Sequence, residues 1–194
     1  MFIRTAETPN PNVLRFVFGF QINTGDTISF VNEAEAKQHP LAEGLFTIAG
    51  LTSVFIGNDF ISIGKDESIE WFLIKPQIVA ILMDYTLSGA PIFGDNVGIK
   101  QTGSDEDYKD LDLGDSDISN PLVKQIIDII EERVRPAVAM DGGDIVFRGF
   151  RDGIVYVSLH GACSGCPSST VTLKDGIENM LKHYVSEVTE VKAV

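Results

Sequence analysis

The sequence predicts an α+β protein: two small domains, each mixing helices with strands, joined by an acidic linker, the second with its elements in the order α-β-β-α-β. Three observations lead there. Short apolar runs punctuated by Gly, Asn and Asp alternate with longer stretches of helical period. Between residues 103 and 117, seven acids meet one base with too little apolar content to bury a core. Beyond that stretch a second set of strand and helix patterns completes itself within 194 residues. The boundaries follow as 1–95 for the first domain, 96–118 for the linker and 119–194 for the second domain.

In the first domain Val13 to Phe18 and Thr27 to Val31 read as strands, with Gly19 and Thr24-Gly25-Asp26 as breakers. Asn32 to Gln38 and His39 to Phe46 read as turns or short helices. Ser53 to Ile56 and Phe60 to Ile63 make a hairpin across Gly57-Asn58-Asp59, because Gly and Asn tolerate the positive φ of such turns. Ser68 is the expected cap of a helix reaching Leu87, with Ile69, Phe72, Leu73, Ile78, Ile81 and Leu82 on its buried face. Pro76 lacks an N–H and is expected to kink or split that helix.

The linker's like charges repel and extend it; an acidic docking segment is the alternative reading. The second domain opens with Ser119-Asn120-Pro121, a cap followed by a helix-starting proline. Leu122, Ile126, Ile127, Ile129, Ile130 and Val134 form an apolar stripe, Arg133 and Arg135 suit the C-terminal end, and Pro136 is expected to stop the helix. Asp144 to Phe150 and Ile154 to Leu159 then pair across Arg151-Asp152-Gly153. A helix carrying Val171, Leu173, Ile177, Met180 and Leu181 follows, and Val188 to Val194 is the last strand.

Charge narrows the partners. The net −13 divides as −5 over residues 1–100, −6 over 101–118 and −2 over 119–194. No face reads as basic, so nucleic acid and an anionic membrane are poor partners on electrostatic grounds. The longest apolar run, Ile78 to Met83, is too short to span a bilayer. Met1 to Glu7 has neither a secretory apolar core nor an Arg-rich transit pattern.

The chemistry concentrates in Gly161-Ala162-Cys163-Ser164-Gly165-Cys166-Pro167-Ser168-Ser169-Thr170, which holds the only two cysteines. Both thiols fall at a strand-to-helix turn, with Pro167 where a first helical residue tolerates having no N–H. The positive end of the helix dipole favours thiolate, the form that binds soft metals or attacks disulfides. A pair of inert buried thiols is disfavoured by the surrounding Gly, Ser and Pro.

A dithiol–disulfide oxidoreductase fits the helix start, although a hairpin leads into the site in place of a βαβ unit. Zinc or an iron–sulfur cluster wants about four soft ligands, and one chain offers two thiols. His160 is a possible third ligand, whereas His39 and His183 have no cysteine near them in sequence. A second copy related by a two-fold axis supplies the missing pair around one shared centre. Such a site opens when the subunits part, which suits a cargo that is handed over. Met140-Asp141-Gly142-Gly143-Asp144-Ile145 reads as a tight turn into a strand, with a hard-cation site as the lesser alternative.

Arg135-Pro136 followed by Asp141-Gly142-Gly143-Asp144 and Gly161-Ala162-Cys163-Ser164-Gly165-Cys166-Pro167-Ser168-Ser169 resembles the Nfu family and the C-terminal domain type of NifU. Thr8-Pro9-Asn10-Pro11-Asn12, Pro40-Leu41-Ala42, Gly57-Asn58-Asp59-Phe60-Ile61 and Trp71 with Lys75-Pro76 resemble the Nfu N-terminal domain. The resemblance implies a scaffold or carrier, not an enzyme, that holds a [4Fe–4S] cluster between two subunits. Cys163 and Cys166 are the ligands it implies. It also implies upstream cluster-assembly proteins as donors, apo iron–sulfur proteins as clients, and a recognition or targeting role for the N-terminal domain. Four thiolates serve [2Fe–2S] as well as [4Fe–4S]. The dithiol redox enzyme stays as the alternative, and the expected location is the bacterial cytoplasm, with a processed form in the mitochondrial matrix as the alternative.

Overall fold

The fold is that of a computed structural model whose described residues are 2–23, 27–37, 39–88, 114, 116–163 and 167–194. The chain divides into two units, Met1–Thr102 and Gly103–Val194. Most of the acidic stretch read as a linker lies outside the described residues.

The first unit holds an antiparallel sheet of β1 (Arg4–Glu7), β2 (Val13–Val17), β3 (Ile28–Phe30), β4 (Leu51–Ile56) and β5 (Phe60–Lys65), in the order β1-β2-β5-β4-β3. Two short helices, α1 (Glu33–Ala36) and α2 (Pro40–Phe46), and a long one, α3 (Trp71–Leu87), accompany it. Phe16, Phe30, Ile61, Ile63, Ile78 and Leu82 are buried in one apolar cluster. β1 has no alternating pattern of its own; it becomes a strand by pairing with β2, Arg4 opposite Val17 through Glu7 opposite Leu14. The β4–β5 hairpin forms across Gly57, but none of its turn residues has positive φ. Gly57 serves packing instead: a Cβ there would lie 2.6 Å from the Phe60 ring.

Helix α3 departs from expectation in three ways. Ser68 does not cap it, because its N–H (2.9 Å) and hydroxyl (2.5 Å) both donate to Asp66 Oδ1. The buried face is Ile74, Ile78 and Leu82, while Phe72 and Leu73 are 73% and 55% exposed. The helix is apolar on nearly every side, so its sequence fits several registers and the sheet decides which side is covered. Pro76 sits inside an unbroken helix. It lies on the exposed side, where water can serve the carbonyl four residues earlier that its missing N–H leaves unpartnered.

The second unit runs α4 (Pro121–Ile129), a π-helical turn (Ile130–Val134), α5 (Arg135–Met140), β6 (Gly143–Arg151), β7 (Ile154–Gly161), α6 (Pro167–Tyr184) and β8 (Glu190–Ala193). β6 and β7 are antiparallel, and β8 adds to β7 in parallel. Asn120 caps α4 by accepting the Leu122 N–H at 3.0 Å, as its sequence position predicts. The β6–β7 turn uses left-handed backbone at Asp152 (φ 52°) and Gly153 (φ 83°), the pair that matches the twist of a two-residue hairpin. Ile126, Ile130, Val138, Ile145, Val155, Leu181 and Val191 make the core.

Pro136 does not stop the helix. The π turn before it takes up an extra residue, so Pro136 falls in the first turn of α5, where a missing N–H costs nothing. Among the described residues no helix is long and apolar enough to cross a membrane.

Candidate functional site

β7 ends at Gly161, whose φ of 66° turns the chain into Ala162 and Cys163, and α6 begins at Pro167. Cys166 lies outside the described residues. The Cys163 side chain does not face water. It is 6% exposed and belongs to the apolar cluster that includes Ile145, Ile177 and Leu181. Burial pushes its thiol from an ordinary 9.0 up to about 12, and Asp141 and Asp144 push in the same direction. The thiolate expected at a helix start is disfavoured here, first by burial and then by the two carboxylates.

Cys163 is enclosed by the chain that leads into β6. Gly142 (φ 82°) accepts the Ala162 N–H at 3.1 Å. Gly143 pairs with Gly161 across the ladder, and a Cβ on it would lie 2.6 Å from Cys163 Sγ and 2.6 Å from the His160 carbonyl oxygen. Only the absence of a side chain lets the two strands and the thiol approach this closely.

Asp144, 2% exposed, follows directly. Its Oδ1 accepts from Arg135 Nε and from the Ile145 N–H, both at 2.8 Å, and its Oδ2 accepts from Arg135 Nη2 at 2.9 Å. Arg135 Nη1 donates to Glu131 at 2.8 Å, and Asp144 above all raises the guanidinium above its ordinary pKa. This two-point fork occupies the carboxylate that the hard-cation alternative needed, so that alternative fails. Asp141 closes α5 through its backbone, its N–H shared between the Ala137 and Val138 carbonyls.

The three histidines are distributed as separate structural groups. His160 stands opposite Asp144 on β7, with Nε2 3.2 Å from Ser158 Oγ, which in turn accepts from Arg148 Nε at 2.8 Å. Burial, and then Arg148, hold its imidazole below the ordinary value. His39 is buried in the first unit, where its Nδ1 accepts the Ala42 N–H at 3.4 Å and caps α2. His183 lies in the last turn of α6 with its ring against Tyr184. Among the described residues no three His, Cys, Asp or Glu side chains gather as a metal site. The Arg135–Asp144 fork was not foreseen from composition or periodicity, which assigned Arg135 to a helix end. The only signal was its place in the motif shared with a family.

Comparison with known proteins places these features. A family model described as "NifU-like domain" matches residues 126–192, and one described as "Scaffold protein Nfu/NifU N terminal" matches residues 3–89. The human protein named "NFU1 iron-sulfur cluster scaffold homolog, mitochondrial" is 43% identical over 195 residues, an alignment covering all of this chain and 72% of the human one. The protein of the same name from Drosophila sechellia is 44% identical, and there the chain spans 65% of the relative's length. The solution structure of a NifU-like protein from Saccharomyces cerevisiae aligns at 30% identity and a TM-score of 0.45, covering 50% of this chain and 87% of that one.

Proposed function

The chain belongs to the Nfu/NifU family, and from that premise we propose that it is an iron–sulfur cluster scaffold or carrier. The cluster, a [4Fe–4S] unit, is its cargo. Cys163 and Cys166 of two copies hold it at a shared site, and separation of the copies releases it to apo-proteins. One observation carries this reading: in a chain of this family the full sequence has two cysteines, Cys163 and Cys166, so one chain supplies two of the four thiolates that a cluster takes.

Capture of iron displaces the proton from the buried thiol, since a coordinating thiol is deprotonated outright. The antiparallel β6–β7 hairpin that leads into the site, in place of a βαβ unit, counts against the dithiol oxidoreductase alternative. The role is binding and transfer without catalysis, with cluster-assembly proteins as donors and apo iron–sulfur proteins as clients. Residues 96–118 serve as the spacer between domains at 1–95 and 119–194. The names of the curated relatives, which say mitochondrial, support a mitochondrial location over the bacterial cytoplasm.

The test is cluster delivery. Anaerobically reconstituted protein incubated with an apo [4Fe–4S] enzyme is expected to restore that enzyme's activity, faster than the same iron and sulfide supplied free. Equal rates would remove the carrier reading.

A further inference from the structure

We infer that Arg135 is a positioning residue for the cargo-binding thiol, acting through Asp144 and the Gly142–Gly143 lead into β6. The inference rests on the reading of Cys163 as a cluster ligand.

The geometry forms a short chain of contacts. Arg135 grips both oxygens of the buried Asp144 carboxylate, at 2.8 and 2.9 Å. Asp144 adjoins Gly143, the residue whose backbone closes over Cys163 Sγ so tightly that a Cβ would stand 2.6 Å away. Gly142 accepts from Ala162, the residue before Cys163. Residues 142–144 are thus one wall of the thiol's seat, and the guanidinium anchors that wall to the start of α5.

The anchor is itself held. Arg135 follows the π turn, and Glu131 Oε2 takes its remaining Nη1 at 2.8 Å. A guanidinium pinned on two sides holds a planar fork and keeps Asp144, and with it the wall, from rotating. A simple stabilising pair has no need of this placement: Lys182 and Glu178 make an ordinary i,i+4 pair on α6. The Arg135 fork is different because the carboxylate it fixes is next in sequence to the residue touching the thiol.

Lysine offers one amino group where arginine offers a fork, so Arg135→Lys keeps the charge and loses the two-point grip. The experiment uses the full chain in two states. In the metal-free protein, alkylation of Cys163 by iodoacetamide is followed by peptide mass analysis. In the reconstituted protein, cluster loss to a chelator and the visible circular dichroism of the cluster are recorded. Arg135→Lys is expected to keep the wild-type far-ultraviolet spectrum, to alkylate faster at Cys163, to lose cluster about tenfold faster and to shift the visible bands.

Glu131→Gln, at the half-exposed outer end, is expected to move the same readings less far. It decides the matter alone if Arg135→Lys does not fold. Wild-type alkylation and cluster retention in both variants would overturn the inference. Full cluster content in Cys163→Ser would instead overturn the ligand reading, while the metal-free alkylation result would still judge Arg135.

Discussion

The two units stabilise themselves by different means. The first closes its sheet with large side chains, and Phe16, Phe30 and Phe55 are among its fully buried residues. Among its described residues the second fully buries no aromatic side chain, relying on Ile126, Ile130, Ile145 and Leu181, and it sets a thiol and a carboxylate, Cys163 and Asp144, in or beside its core. A core of big apolar groups is tolerant chemistry and gives stability. A core that takes in a thiol beside a buried carboxylate gives up some of that stability and gains a site whose Arg135–Asp144 ion pair is fixed before cargo arrives.

The sharpest way to break this contrast is the reactivity of Cys163. With its thiol pushed from 9.0 to about 12, the neutral form is the one the fold favours. Its share of stability is present below pH 9.0 and is lost as pH climbs toward about 12. At pH 8 its thiolate fraction is expected to be about a thousandfold below that of an ordinary cysteine, so alkylation of the metal-free protein should keep rising to the alkaline limit. A rise already half complete at pH 9.0 would show an ordinary exposed thiol and erase the difference between the units.

Next in size, Phe16→Ala should destabilise the first unit by about 3–5 kcal/mol. Calorimetry should show one transition moving down while cluster content stays at the wild-type level. Loss of cluster along with the first unit would mean that the site does not belong to the second unit alone. Gly143→Ala should cost the second unit about 1–3 kcal/mol, because its new methyl meets Cys163 Sγ and a backbone carbonyl. Gly176→Ala, within α6 and with nothing in 4 Å of its added Cβ, should stabilise by up to about 1 kcal/mol. Equal effects at the two glycines would contradict the close approach at Gly143.

Much of this was legible in the sequence, and the failures are informative. The Asn120 cap and the left-handed Asp152-Gly153 turn depend on neighbours a few residues away, and both sit where local rules put them. Pro121 and Pro167 start their helices as expected, but two other prolines did not follow those rules. Pro76 and Pro136 both stand inside helical runs, one tolerated on an exposed face and the other absorbed by a π turn, and neither solution is written in the adjacent residues.

At the site, the cysteine motif and the strand-to-helix turn were readable, but the burial of Cys163 was not. The thiol is enclosed by Gly143, twenty positions upstream, which strand pairing brings against it. The Arg135–Asp144 fork was hidden for the same reason: a bidentate contact is made by tertiary geometry, and periodicity registers neither partner.

The central claim is a cluster shared by two copies of the chain. It is tested most directly by anaerobic reconstitution followed by iron, sulfide and native mass analysis of the same sample. The account predicts a dimer carrying about four irons and four sulfides, with only monomer left after Cys163→Ser. A monomer holding a complete cluster of its own would contradict it.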